Sequence, residues 1–157
     1  KSGQIDAWSI VPNIADALSK GGSVVEIGKV SDYIPDYQVT TVFTSAENAD
    51  NKPEVVKRYL AALSKGIAEY NDALVYKKAD AAEVDAITKN NHKYVYASMP
   101  YAKAAPRTQH GAMLGNPGAA ITLASVKAQL EWLQGTNMAR KDVTMEQLVK
   151  TGYVKEV

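Results

Sequence analysis

The sequence predicts an α/β fold, and three features of its patterning predict it. Two segments rich in β-branched residues, residues 23–30 (SVVEIGKV) and 38–44 (QVTTVFT), read as strands. They stand among stretches with helical periodicity, the longest of which carries Val56, Leu60, Leu63, Ile67, Tyr70 and Leu74 on one face. The segment SDYIPDY between the two strands is too long for a tight hairpin, so neither strand is the other's two-residue-turn partner. At 157 residues the chain has the length of one domain with a core of its own.

Residues 5–10 (IDAWSI) are short and mixed enough for a strand leading into a turn, and Pro12 then suits the first position of a helix. Val11, Ile14, Ala15 and Leu18 continue that helix at helical spacing, and Gly21-Gly22 supply its left-handed stop. After the second strand an Asn/Asp-rich stretch, AENADNK, precedes Pro53-Glu54, which opens the longest helix. Residues 79–89 form a further helix with Val84 and Ile87 inward, ended by Asn90-Asn91. Residues 92–117 read as a long ordered connection packed through Tyr94, Tyr96 and Tyr101, and Gly115-Asn116-Pro117-Gly118 as a turn. Leu123, Val126, Leu130 and Leu133 mark a helix over residues 122–134 closed by Gly135. Thr144 and Gln147 fit a capping box before Leu148, with an extended tail beyond. No internal repeat points to a solenoid.

Charge and composition exclude several functions. With 18 basic and 17 acidic residues mixed along the chain, no field gathers nucleic-acid phosphates, so a nucleic-acid partner is not expected. No stretch reaches the ~20 apolar residues of a membrane-spanning helix. The chain has no cysteine, which removes disulfides, thiolate nucleophiles and cysteine metal sites. It starts at Lys1 with no signal peptide, and its apolar pattern begins at Ile5, so it reads as processed or as a fragment.

Motifs for catalysis are absent. His92 and His110 are far apart in expected loop and outside any spacing that puts two metal ligands on one helix face, so each is expected at the surface or in a hydrogen bond. No metal site and no cofactor are expected. There is no Gly-x-Ser-x-Gly elbow, and the glycines near Asn116 lack the lysine and hydroxyl of a phosphate loop. Glu83 with Asp85, or Asp6 with Asp16, could be nominated as carboxylate pairs, although acid–base work needs environments that separate their pKa values. Glu54 and Arg58, four residues apart, read as a solvated surface pair. The segment from Trp8 to Asn13 differs from these, because an aromatic, a hydroxyl and a helix start converge there. Free N–H groups and the positive dipole end suit an anionic or polar ligand, with Trp8 as an apolar wall. Equally, Trp8 can be core and Ser9 a local cap.

At these residues the sequence resembles a known family. Ser2-Gly3-Gln4-Ile5-Asp6-Ala7-Trp8 followed by Pro12, Tyr37-Gln38-Val39-Thr40-Thr41-Val42, and Asn51-Lys52-Pro53-Glu54-Val55-Val56-Lys57-Arg58-Tyr59-Leu60 are similar to the periplasmic solute-binding proteins of nitrate, sulfonate and taurine ABC transporters. These share their fold with thiamine-pyrimidine synthases. Ala124-Ser125-Val126, Leu130-Glu131-Trp132-Leu133 and Lys141-Asp142-Val143-Thr144 look like the family's end, so the resemblance runs over nearly the whole chain.

The resemblance implies a type II periplasmic-binding-protein-like fold of three-layer α/β lobes, of which this chain would be the C-terminal half and incomplete. Residues 1–36 would finish the second lobe, 37–44 form the hinge or return strand, and 45–157 complete the first lobe with its packing helices. By the same resemblance the ligand contacts are Asp6, Trp8, Ser9, Asn13, Tyr37 and Gln38, with no catalytic residue. Ile10-Val11 stand where the family often has a second aromatic or acidic residue, which points to a less acidic, more apolar solute. The implied function is binding a small solute by lobe closure and delivery to a membrane permease, in the periplasm or from a membrane-anchored lipoprotein. The alternatives are a ligand-sensing domain of a signalling system and a pyrimidine-synthase-like enzyme, whose cysteine cluster this chain lacks. The helices after Pro53 would meet the missing N-terminal half, so that half, or a second copy of the chain, is an expected partner.

Overall fold

The computed structural model describes residues 3–157; Lys1, from which the chain was read as processed, and Ser2, the first residue of the family-like motif, lie outside them. The α/β expectation is overturned, and with it the three-layer lobes: the described residues are 54% helical and 1% strand, with no sheet among them. Seven α-helices account for most of the order: α1 Pro12–Lys20, α2 Ala46–Asn51, α3 Pro53–Tyr70, α4 Ala81–His92, α5 Tyr101–His110, α6 Leu123–Gly135 and α7 Met145–Leu148. Among the described residues the strand content is one parallel bridge between Ile121 and Glu156. Residues 5–10 and 38–44 are irregular, and residues 23–30 are irregular up to a short 3-10 turn at Val30–Asp32. The physical reason is pairing. β-branched residues fit a pleated surface, but a strand exists only beside a partner, and these segments have none among the described residues.

The helices follow their local signals more closely. α1 opens with Pro12 at its first position and ends in a Schellman turn: Ser23 N–H donates to the Leu18 carbonyl, Gly22 N–H to that of Ser19, and Gly22 takes φ 64°. On α3 the expected stripe turns inward, with Val56, Leu60, Leu63, Ile67 and Tyr70 half-buried and Leu74 buried beyond it. The helix then widens into a π turn over Asn71–Val75, closed by Tyr76 N–H on the Asn71 carbonyl at 2.7 Å. Asp80 caps α4 through its carboxylate, and Glu83 reaches back to the Asp80 N–H. α4 runs through Asn90-Asn91 to His92 rather than stopping before them. The AENADNK stretch is itself helical as α2, started by the Ser45 hydroxyl on the Asn48 N–H. At the start of α7, Gln147 accepts from the Thr144 N–H.

The expected long connection after His92 holds a helix. α5 begins after Pro100 and continues through Pro106, which forfeits one backbone hydrogen bond there. Tyr96 and Tyr101 pack as expected, whereas Tyr94 is exposed. Gly118 takes φ 72° in the expected turn.

The chain divides into two compact units. The first consists of the residues up to Tyr33 together with Glu69–Leu114; there α4 packs on α5 and on the π turn, and α1 packs on α5. Its buried residues include Ala73, Leu74, Ala104, Asn71 and Thr88. The second consists of Ile34–Ala68 and Gly115–Val157. Its buried residues are Ala49, Ala120 and Leu130, and the Tyr153 hydroxyl fastens the C-terminal tail to the Ala49 carbonyl.

Candidate ligand-binding site

The turn into α1, the candidate ligand site of the sequence, ends in a helix start without a side-chain cap. Val11 occupies the helix N-cap, where a hydrocarbon side chain offers no acceptor, and the first turn contains no acidic residue. The N–H groups of Ile14 and Ala15 both reach the Val11 carbonyl, and the Asn13 N–H has no partner among the described residues. Ser9 does not cap the helix, and its side chain is exposed. Trp8 is 46% exposed, so it is not a core residue. With Ile10, Val11 and Ile14, all exposed, it gives the open helix end an apolar surround. Asp6 is exposed beside it. On α1 the packed face is Ala15 and Leu18, so Val11 and Ile14, expected on the inward stripe, are left outside.

A second layer holds this turn. The Asn13 carboxamide nitrogen donates to the Tyr96 hydroxyl, and Tyr96 is held at φ 57°, with the Met99 N–H on its carbonyl at 2.8 Å. A tyrosine in the left-handed region carries a backbone cost that the surrounding contacts must outweigh. Gly111, just after α5, lies so close to α1 that a Cβ there would sit 2.7 Å from the Asn13 Cβ. Asp16, on the next turn of α1, accepts from Lys20 at 2.8 Å and lies 3.7 Å from His110 Nδ1. Tyr96 and Gly111 as neighbours of Asn13, and His110 as a neighbour of Asp16, were not legible, because more than 80 residues of sequence separate the members of each pair.

Of the residues implied by the family resemblance, Asp6, Trp8, Ser9 and Asn13 fall in the first unit, and Tyr37 and Gln38 in the second. Tyr37 is partly exposed, while Gln38 is a junction within its own unit. Its backbone N–H donates to the Ser125 hydroxyl at 2.9 Å, and its carbonyl accepts from Gln129 at 3.0 Å. Its side-chain oxygen accepts from Asn116 Nδ2 and the Thr122 N–H, and its amide nitrogen donates to the Thr40 carbonyl.

The carboxylates do not form catalytic pairs. Asp85 accepts from Tyr101 at 2.6 Å and pairs with Lys89 at 2.7 Å, while Glu83 turns toward its cap. The hydrogen bonds from Lys89 and Tyr101 hold the Asp85 carboxyl below the usual carboxylate range, and the bond that the Tyr101 hydroxyl donates to Asp85 pushes its phenol up to about 12. Glu54 pairs with Lys57 rather than with Arg58. His92 is half-buried against the Tyr101 ring rather than at the surface, with a buried Nδ1 that has no hydrogen-bond partner among the described residues. Among the described residues no cluster of histidine and carboxylate groups could hold a metal ion. A cavity of about 430 Å³ in the first unit, between the π turn and α4, is lined by Glu69, Asp72, Ala73, Glu83 and Ile87 among others. Asp72 there is paired with Lys78 at 3.5 Å.

Residues 1–73 match a family model described as NMT1/THI5 like. The matched stretch contains the Trp8-to-Asn13 turn, α1, α2 and α3, and ends inside the π turn. Comparison with curated proteins and with solved structures gives no match.

Proposed function

We propose that this chain is the solute-binding component of an ABC importer, taking a small organic solute with a polar or anionic head at the Trp8-to-Asn13 turn. The family-model match supports this most directly, because it covers that turn and the helix it opens. The turn's chemistry agrees with it: an uncapped helix start presents a free N–H at Asn13, and exposed Trp8, Ile10 and Val11 would cover an apolar body. Asp6 and Ser9, in the same unit, complete the proposed contact set. Binding rather than turnover is proposed, since no nucleophile–base pair stands at the turn and the chain has no cysteine for synthase-type chemistry. Delivery to a membrane permease, a periplasmic or lipoprotein location, and an N-terminal companion half belong to the same proposal.

The test is a fluorescence titration with a panel of small organic anions. The Trp132→Phe variant leaves Trp8 as the sole tryptophan reporter. The expected result is saturable quenching or enhancement, with native mass spectrometry showing the solute bound unchanged. A Trp8→Ala chain that binds the same solute with unaltered affinity would overturn the assignment of the site, and chemical conversion of the solute would overturn the assignment as a binding protein.

A further inference from the structure

Residues 37–45 form an irregular segment with negative φ throughout, between the left-handed residue Asp36 and the start of α2. One edge of it is occupied: the N–H and carbonyl of Gln38 both go to α6 side chains, at Ser125 and Gln129. Paired as a strand, the segment would point the main-chain groups of alternate residues to the same side, so Val39, Thr41 and Phe43 would offer theirs to the edge opposite that of Gln38. No partner takes the N–H groups of residues 39–43 among the described residues. The segment QVTTVFT is uncharged, and Phe43 is 92% exposed. A free edge of uncharged β-branched and aromatic residues is a template for another strand. Beside Val39 and Thr41, a groove of about 250 Å³ is walled by Val126, Leu133 and Leu148.

We propose that this edge pairs with the same edge of a second copy of the chain, antiparallel and centred on Thr41, and that the groove receives the partner's Phe43. The pairing is self-complementary. About a two-fold axis Thr41 meets Thr41 and Val39 meets Phe43, an aromatic against a β-branched side chain, which is a favourable cross-strand combination. No charged residue lies within 38–44, so no like charges meet. In this register Val39, Thr41 and Phe43 all occupy hydrogen-bonded positions, which is where the free main-chain groups lie. Phe43 opposite Val39 is brought beside the groove that Val39 lines. The proposal is independent of which solute the first unit binds.

The full chain is tested by sedimentation at increasing concentration. The wild type should dimerise, Phe43→Ala should weaken the dimer by about tenfold or more, and Thr41→Lys and Thr41→Glu should each be monomeric. An equimolar mixture of the two Thr41 variants should recover the dimer, because lysine then meets glutamate across the axis. That recovery also shows that both variants fold. The direction of pairing is read with thiols, since the chain has no cysteine of its own. Val39→Cys mixed with Phe43→Cys should give the mixed disulfide in preference to either homodisulfide, at the Cα separation of about 5.5 Å that suits both a hydrogen-bonded antiparallel pair and a disulfide. A wild-type chain that stays monomeric, Thr41 variants that fail to rescue each other, or predominance of homodisulfides would overturn the proposal.

Discussion

The carboxamide nitrogen of Asn13 donates to the hydroxyl of Tyr96, tying the first turn of α1 to a residue held in left-handed backbone. Removing either end of this bond should destabilise the chain by about 1 kcal/mol. Asn13→Ala and Tyr96→Phe together should cost less than the sum of the two, as groups in direct contact do. Denaturant unfolding of the four chains measures the coupling, and strict additivity would show that the bond contributes nothing.

Gly111 is required by the closeness of α1 to the end of α5. Gly111→Ala would put a Cβ 2.7 Å from the Asn13 Cβ and 2.9 Å from the Arg107 carbonyl oxygen, both atoms of packed helices. We expect a loss of about 1 to 3 kcal/mol, together with weakened solute binding if Asn13 is displaced. Gly66, inside α3, is the opposite case: nothing lies within 4 Å of a Cβ there. Gly66→Ala should raise stability by about 0.5 to 1 kcal/mol through helix propensity. Thermal melts of the two variants should move in opposite directions.

Gln38 joins the irregular 37–45 segment to α6 and to the turn before it. Gln38→Ala removes the acceptor for Asn116 and for the Thr122 N–H, so the second unit should lose about 1 to 3 kcal/mol. Amide hydrogen exchange at Thr122 should quicken more than exchange within α4, which belongs to the first unit.

The Asp85–Tyr101 bond between α4 and α5 gives opposite trends at the two ends of the pH scale. Asp85 has a depressed folded pKa, so its contribution is complete above the ordinary carboxylate range and is lost as pH falls through the folded value. Tyr101 has a raised one, so its contribution is complete below the unfolded phenol value of 10.0 and is lost as pH rises through about 12. Burial also raises Tyr70, so two late phenols are expected in an ultraviolet titration. Tyr101→Phe should remove the one near 12 and, with it, Tyr101's share of the loss of stability at high pH.

What was legible in the sequence was what is encoded within a few residues. The Pro12 start, the Gly22 stop, the α3 stripe from Val56 to Leu74, the Thr144–Gln147 pairing and the turn at Gly118 each depend on backbone groups or side chains that are near neighbours along the chain. The α2 helix was missed because its asparagines and aspartates read as loop, although Ser45 and Asn48 form an ordinary cap. α5 was missed because Pro106 suggested a break. Of the proposed ligand site, Trp8 and Asn13 were legible from the helix start they flank, but the support from Tyr96, Gly111 and His110 was not, since no local pattern records which distant turn arrives there.

The sequence by itself determined most of the helices, their starts and stops, and the absence of cysteine chemistry, because hydrogen bonds between residues three to five apart and the residue types themselves settle those. Only the tertiary structure decided that SVVEIGKV and QVTTVFT do not form a sheet, that α5 closes on α1 at Gly111, and that Gln38 binds α6. Each of these depends on a partner far along the chain or outside it. A β-branched segment states a preference for a pleated, half-covered surface, and the backbone opposite it decides whether a strand forms.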